Sequence, residues 1–410
     1  MAYKVAGIDV HKKVLMVVIL EVDDPASEPQ RRRFGTTTSE LRNLSDWLRQ
    51  QGVQQAVMES TAQYWRPVWC ELEPYMKLSL AQAFCNRAPR GRKHDFRDAE
   101  RLIRRLPAGE LTLSFVPEPE QRTWRMMTRA RVQLTEDKSR LHSQRECLLE
   151  EMRIKLSSVV SDLLGVSGYR ILRALADGET DPRKLAALAD DRLQCSEKQL
   201  IDALSGNPQP AHQRVLTLSL NRHQLMVEQI AEFDRLIAEA LKPHQEAVAR
   251  LALAPGLGVD SAQQIIAEVE VEAGTFPTAG HLSAWVGTCP GRNESAEENH
   301  SSRSAKGNKY LRRILNQAAH AAVKTKGSHF QAVFRRLLPR LGYKAAIWAV
   351  AHRLCRLVWK MLHENVSYIE QGSQPDARTK RRRARNLLRA LRKLGYEVNL
   401  QPTSTACPAA

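Results

Sequence analysis

Four carboxylates in the first quarter of the chain stand at the ends of short regular elements, and their placement restricts the fold more than any other feature. Asp9 closes the apolar run Val5-Ala6-Gly7-Ile8, and Glu59 closes Ala56-Val57-Met58. Asp95 and Asp98 open a helical stretch that runs on to Leu102, and their three-residue spacing puts both on one helix face. Two strand ends and one helix turn can converge several oxygens on a small volume. Hard divalent ions such as magnesium prefer oxygen sets of this kind and usually keep positions open for water or phosphate. An acid at a strand end also serves as a solvated surface group, and Asp95 taken alone reads equally well as a helix N-cap. The joint order of strand Asp, strand Glu and helix with two Asp favours a shared site.

The segments between these acids fit one α/β domain. Residues 14–20 form a β-rich run soon after Asp9, as the second strand of a hairpin would. Residues 39–51 read as a helix beginning at Ser39-Glu40, with Leu41, Leu44 and Leu48 on one face and Trp47 beside it. The Glu59 strand follows, then a helix near 62–75 and a strand at 77–82.

Composition limits the partners. Lys and Arg number 62 against 45 Asp and Glu, a net charge of +17. A polyanion is the leading explanation, and an anionic membrane surface is second. Metal-assisted chemistry on nucleic acid follows from a concentrated acidic site on so basic a chain. No segment approaches the apolar length of a membrane span, and Met1-Ala2-Tyr3-Lys4 lacks a secretory pattern. The seven cysteines lie far apart without a Cys-x-x-Cys pair, which suits buried free thiols in a reducing cytoplasm better than disulfides or zinc. At 410 residues the chain has room for two or three domains.

The order of elements is that of a ribonuclease-H-type sheet, and the acidic segments resemble the RuvC-like domain of DEDD-type insertion-sequence transposases. Val5 to Lys13 is similar to the opening of that domain. Met58-Glu59-Ser60-Thr61-Ala62-Gln63-Tyr64 resembles its Glu-Ala/Ser-Thr-Gly-x-Tyr segment, and Arg92-Lys93-His94-Asp95-Phe96-Arg97-Asp98-Ala99 its Asn-Lys-Thr-Asp-x-x-Asp-Ala segment. Ala62, Arg92 and His94 stand where Gly, Asn and Thr are usual, while all four acidic positions match. The resemblance implies that Asp9, Glu59, Asp95 and Asp98 are catalytic magnesium ligands, with Lys93 beside nucleic acid.

Past a first domain at residues 1–119, a helical spacer is expected over 120–250. Residues 120–156 and 211–242 lack glycine and proline, and Met226, Ile230, Phe233, Ile237 and Leu241 recur at helix-seam spacing. Gly165, Gly168, Gly178, Pro182, Gly206 and Pro208 break the stretch between them and allow the chain to reverse. A long antiparallel pair and an ordinary helical bundle fit these residues equally; the resemblance favours a coiled coil that also joins protomers. A mainly α-helical domain is expected over 251–370. Its opening Pro255-Gly256-Leu257-Gly258 is a helix-hairpin-helix-like pattern whose free amides could hold phosphate, although a ligand-free turn fits as well.

The second chemical segment is Trp285 to Ser295. It resembles the family's aromatic-x-Gly-Leu-x-Pro…Glu-Ser segment, in which the residue after Glu, here Ser295, is the nucleophilic serine. The basic loop and helix start that follow would place Arg303, Lys306, Lys309, Arg312 and Arg313 near phosphates. Tyr343 to Tyr368 reads as the domain's last amphipathic helix, with His352 a surface or packing residue. A linker at 371–375 then leads to a basic tail within 371–410, outside the resemblance.

These readings imply a cytoplasmic, nucleoid-associated DNA transposase or site-specific recombinase that cuts and rejoins strands through a phosphoserine. The resemblance further implies a structured guide RNA and a homo-oligomer, dimer or tetramer. No modular RNA reader appears in the chain, but base pairing by a guide would leave the protein mainly backbone contacts. If the helical spacer holds its ends apart, Ser295 of one protomer would meet the carboxylates of another. The four carboxylates alone also support a metal-dependent endonuclease or junction resolvase that uses water, and covalent DNA on Ser295 separates the two.

Overall fold

Both acid-tipped apolar runs are strands. The computed structural model describes residues 3–22, 28–59, 62–83, 86, 95–291, 293–295, 298–301, 304–370, 372, 377–394 and 396. The chain divides into two units, Met1–Glu118 and Pro119–Ala410. The first contains β1 (Lys4–Val10), β2 (Leu15–Glu21), β3 (Gln30–Phe34), α1 (Thr38–Gln50), β4 (Gln55–Glu59), α2 (Trp65–Leu72), β5 (Lys77–Ala81), α3 (Asp95–Arg105) and β6 (Leu113–Ser114). Sheet order is β3-β2-β1-β4-β5-β6, with β1, β4 and β5 parallel at the centre and antiparallel strands outside.

Strand side chains alternate between faces, so each central strand serves two cores. Ala6, Ile8, Val10, Ala56 and Met58 pack with Leu41, Leu44 and Leu48 of α1 and Val68 and Leu72 of α2. On the other face Val5 packs with Ala99 and Ile103 of α3, and Val57 and Ala81 pack with Leu102. The result is a three-layer α/β unit. Strand β3 escapes the sequence pattern because Arg31, Arg32 and Arg33 interrupt it and only Phe34 is buried. Cations on an edge strand discourage pairing with another chain. Arg31 also pins α3 to this edge through Glu100, at 2.6 Å.

The second unit begins with α4 (Pro119–Glu151). It continues with α5 (Leu156–Val159), α6 (Val166–Ala176), α7 (Pro182–Ala186), α8 (Glu197–Leu204) and α9 (Pro210–Ala240). Helices α4 and α9 run antiparallel, because contacts fall in α9 as they rise in α4. The Trp124 ring lies 5.2 Å from that of His244 just past α9, Arg131 pairs with Asp234, and Leu149 shares a core with Leu216 and Leu220. Met226, Ile237 and Leu241 are buried along the seam. The intervening stretch is more than a reversal. Helices α5 to α8 add Leu163, Ile171, Leu172, Leu185 and Leu200 to that same core.

This arrangement corrects one expectation. A helix of 33 residues is about 50 Å long, but the antiparallel return brings the chain back to the first turns of α4. The spacer therefore does not hold the C-terminal helices away from its own start. Those helices are α10 (Gln245–Ala252), α11 (Val259–Val269), α12 (Ala279–Val286), α13 (Lys309–Lys324) and α14 (His329–His363), with a hairpin of β7 (Asn293–Ser295) and β8 (Glu298–Ser301). They form one apolar core that includes Trp124, Ile237 and Leu241. The turn at Pro255-Gly256 serves this packing. Gly256 has φ +81°, and a Cβ there would lie 2.2 Å from the Ala318 carbonyl oxygen.

Helix α14 starts before the expected Tyr343, breaks at Gly342 and ends at His363, short of Tyr368. The basic tail contains α15 (Ala377–Lys393). Cys70 and Cys147 are exposed, which corrects the expectation of a buried set; Cys355 alone is buried among the described cysteines. No helix among the described residues is long and apolar enough to cross a membrane.

Candidate functional site

The register of the sheet brings the first two acids together. Strands β1 and β4 pair in parallel with Ile8 beside Met58, so Asp9 and Glu59 follow side by side at the carboxyl ends of neighbouring strands. Such neighbours lie about 4.8 Å apart. Both have the parity of Val5 and Val57 and so belong to the face covered by α3. Ligands of open α/β sheets gather at this end of the strands.

Helix α3 is set against the same end by a close backbone approach. A Cβ on Gly7 would lie 2.3 Å from the Ala99 carbonyl oxygen and 2.8 Å from Ile103 Cγ1. Ile103 packs with Val5, and Ala99 sits on Gly7. Four helical residues rise about 6 Å, close to the advance of two strand residues. One further step along this register carries residue 95 to the level of Asp9. The backbone thus points the opening turn of α3, with Asp98, toward the tips of β1 and β4.

Asp9 is 7 % exposed, and its Oδ2 lies 3.1 Å from His11 Nε2. Asp98 Oδ1 lies 3.7 Å from Arg101 Nη2, whose other terminal nitrogen donates to the Asn86 carbonyl. Among the described residues, no three His, Cys, Asp or Glu side chains already surround one point. The Asp95 side chain, Lys93 and Arg303 lie outside the described residues. The donor chemistry fits a hard divalent cation, since carboxylate oxygens tip adjacent strands beside a third element bearing Asp98. A cavity of about 430 Å³ opens at the same strand ends, lined by His11, Lys12, Gln63, Tyr64 and Arg66 among others. Arg66 carries no sequence signal of its own and enters only through this cavity.

Ser295 is in β7, with its backbone opposite Glu298, and its side chain lies outside the described residues. The base of this hairpin is fixed backbone against backbone. A Cβ on Gly287 would lie 2.6 Å from the Ala305 carbonyl oxygen, and one on Gly307 2.3 Å from that of Val286. Arg312 donates to the carbonyls of Gly287 and Ala305, and Arg313 donates to Gln264 at 2.8 Å. Both guanidiniums therefore already serve internal acceptors, whereas Lys306 and Lys309 are exposed.

One buried acid escaped the sequence reading. Glu268 ends the apolar stretch Ile265-Ile266-Ala267 in α11, and its side chain is 2 % exposed. Arg129 clasps it with two hydrogen bonds of 2.7 and 2.8 Å, and Asn308 Nδ2 donates to it at 2.7 Å. Asn308 Oδ1 in turn accepts from the backbone of Tyr310 and Leu311, capping α13. Burial lowers the neighbouring Arg125 to about 10, although Glu268 acts against the shift. These bonds tie α4, α11 and the start of α13 beside the hairpin's base.

The comparisons with known proteins divide along these two regions. Residues 6–154 match a family model described as a transposase, of the DEDD type of IS110. Residues 248–335 match a model described as the transposase IS116/IS110/IS902 family. The chain is also similar to a probable family 20 transposase of Pseudomonas aeruginosa, 26 % identical over 313 residues, covering 75 % of this chain and 83 % of that protein. The first match contains all four carboxylates, and the second contains Ser295 and α13. The chain belongs to the IS110-type DEDD transposases.

Proposed function

We propose that this transposase cuts and rejoins DNA through a phosphoserine at Ser295, aided by magnesium at Asp9, Glu59, Asp95 and Asp98. The observation that carries the reading is the pairing of β1 with β4, which brings Asp9 and Glu59 side by side on the face of α3. A hard cation bound there would supply charge to the scissile phosphate and lower the proton affinity of the attacking hydroxyl. Attack of Ser295 Oγ on phosphorus exchanges one P–O ester bond for another and frees a DNA hydroxyl. That hydroxyl can reverse the step, so the strand is rejoined without an outside energy source.

Hydrolysis by water would instead discard the ester energy, and the matched serine segment favours the covalent route. Exposed Lys306 and Lys309 are suited to phosphate contact. The proposal includes a structured guide RNA, supported by the +17 charge and by the lack of any modular nucleic-acid reader in the sequence. It also includes a homo-oligomer. Replacement of Asp9 or Asp98 by Ala tests the metal assignment. Strand cleavage should vanish while the circular dichroism spectrum and melting curve stay native; full recombination by Asp9→Ala overturns it.

A further inference from the structure

A cavity of the second unit takes no part in the proposed chemistry. It has a volume of about 1190 Å³ and runs along α14 between Thr288 and Pro290, before the hairpin, and the extended segment Val366 to Ile369. Small-molecule sites typically have about 300–1,000 Å³. This one exceeds that range and suits a stretch of polymer better than a free metabolite.

Its lining joins two chemistries. Trp348, Phe330 and Tyr368 give it an aromatic wall, and the Phe330 and Tyr368 rings are stacked at 6.4 Å with an interplanar angle of 19°. Arg312 caps the Trp348 ring at 4.5 Å and restrains the indole. Arg353, Arg356 and Lys360 follow at spacings of three and four along the exposed face of α14. Glu364 pairs with Lys360 at 3.7 Å and is the one carboxylate lining the cavity among the described residues, with Glu370 behind the wall accepting from the Tyr368 hydroxyl at 2.8 Å. Burial, with Arg336 and Arg356 nearby, lowers the affinity of Arg353 for its proton, as expected of arginines crowded without an acid. Trp348 Nε1 has no hydrogen-bond partner among the described residues.

We propose that this cavity binds an unpaired stretch of nucleic-acid strand, with bases against Trp348 and Tyr368 and phosphates on Arg353 and Arg356. Stacking on aromatic faces beside a cationic track is how single strands are held without sequence preference. A second copy of this chain is a poor occupant, because the +17 charge would meet a cationic wall. The inference rests on the transposase reading for its choice of polymer. Thr288 and Pro290 lead directly to the hairpin of Ser295, so a strand held here would be delivered close to that hairpin's base.

Photocrosslinking of the full chain with twelve-nucleotide oligomers carrying 5-iodouracil, as DNA in one arm and RNA in the other, tests this. Peptide mapping should find adducts on Trp348 or Tyr368, and the stronger arm identifies which strand is held. Arg353→Gln with Arg356→Gln should weaken single-strand binding about tenfold near physiological salt. It should also lower the salt slope by about 1.4, since each lost phosphate contact on a single strand contributes about 0.7. Adducts confined to other regions overturn the proposal, as does unchanged binding by a double variant that melts like the parent. Recombination by a parent protein that gives no adduct here removes the cavity assignment alone. Adducts here without any strand transfer count against the transposase mechanism instead.

Discussion

Gly7→Ala places a single methyl group where α3 lies closest to β1. The added Cβ would lie 2.3 Å from the Ala99 carbonyl oxygen, short of ordinary contact by about an ångström. Backbone on both sides leaves no flexible side chain to yield at that point, so α3 must move away from β1 by roughly that distance. Overpacking of this kind costs about 1–3 kcal/mol. At roughly 4 °C per kcal/mol, the first unit should melt about 4–12 °C lower, which calorimetry would show. The chemical effect should be larger than the thermal one. Residue 95 and Asp98 move with α3, while Asp9 and Glu59 stay on the sheet. A displacement of about 1 Å in a catalytic arrangement costs about a hundredfold in rate. Strand cleavage should therefore fall about a hundredfold at temperatures where the variant remains folded. Cleavage at the parental rate, with the expected loss of stability, would refute the idea that α3 and the strand ends form one site.

Three further outcomes follow from particular residues. Ala62 has φ +49° at the position where the family resemblance has Gly; Ala62→Gly should stabilise the first unit by about 0.5–1 kcal/mol, seen in denaturant melts, because left-handed backbone costs a side-chain-bearing residue about 1–2. Burial raises the Cys355 thiol to about 11 from 9.0, so iodoacetamide at pH 8 should label exposed Cys70 and Cys147 well before it, and the stability held by that neutral thiol should be lost as pH climbs from about 9 to 11. Equal labelling rates in the native protein would contradict this burial. Deleting residues 376–410 removes α15, which carries nine Lys and Arg and no acid; duplex affinity should weaken and its salt slope fall by about 0.9 per lost phosphate contact, while strand cleavage persists.

Much of the N-terminal site was legible because strand ends and helix starts leave local marks. Apolar runs closed by Asp9 and Glu59, and an acidic opening to α3, are short-range patterns that the sheet register then joins. The α9 seam was equally visible, since Met226 to Leu241 keep helical spacing. Strand β3 was hidden because three successive arginines suit only an edge, which sequence alone does not reveal. Glu268 was hidden for a different reason: its arginines lie on α4, 139 residues away in the case of Arg129. An acid at the end of an apolar helix stretch was the available clue. Arg145 left no clue at all, and the structure buries its guanidinium without a hydrogen-bond partner among the described residues. The strut-like spacer was a wrong inference from length, since the packing of α4 on α9 decides where the chain returns. The homo-oligomer remains testable by mixing Ser295→Ala with Asp98→Ala protein. Regained activity is the expected result, whereas inactive mixed oligomers would assign the site to one chain.

The proposed reaction joins Ser295 and the carboxylates in one strand transfer. The direct measurement is peptide mapping of covalent protein–DNA adducts, trapped while the full chain acts in cells on a plasmid carrying the DNA that flanks its gene. The expected result is a nucleotide-bearing peptide with the adduct on Ser295, absent from both Ser295→Ala and Asp9→Ala proteins. Strand cleavage by Ser295→Ala, with no adduct at any residue of the parent, would contradict it and establish hydrolysis by water.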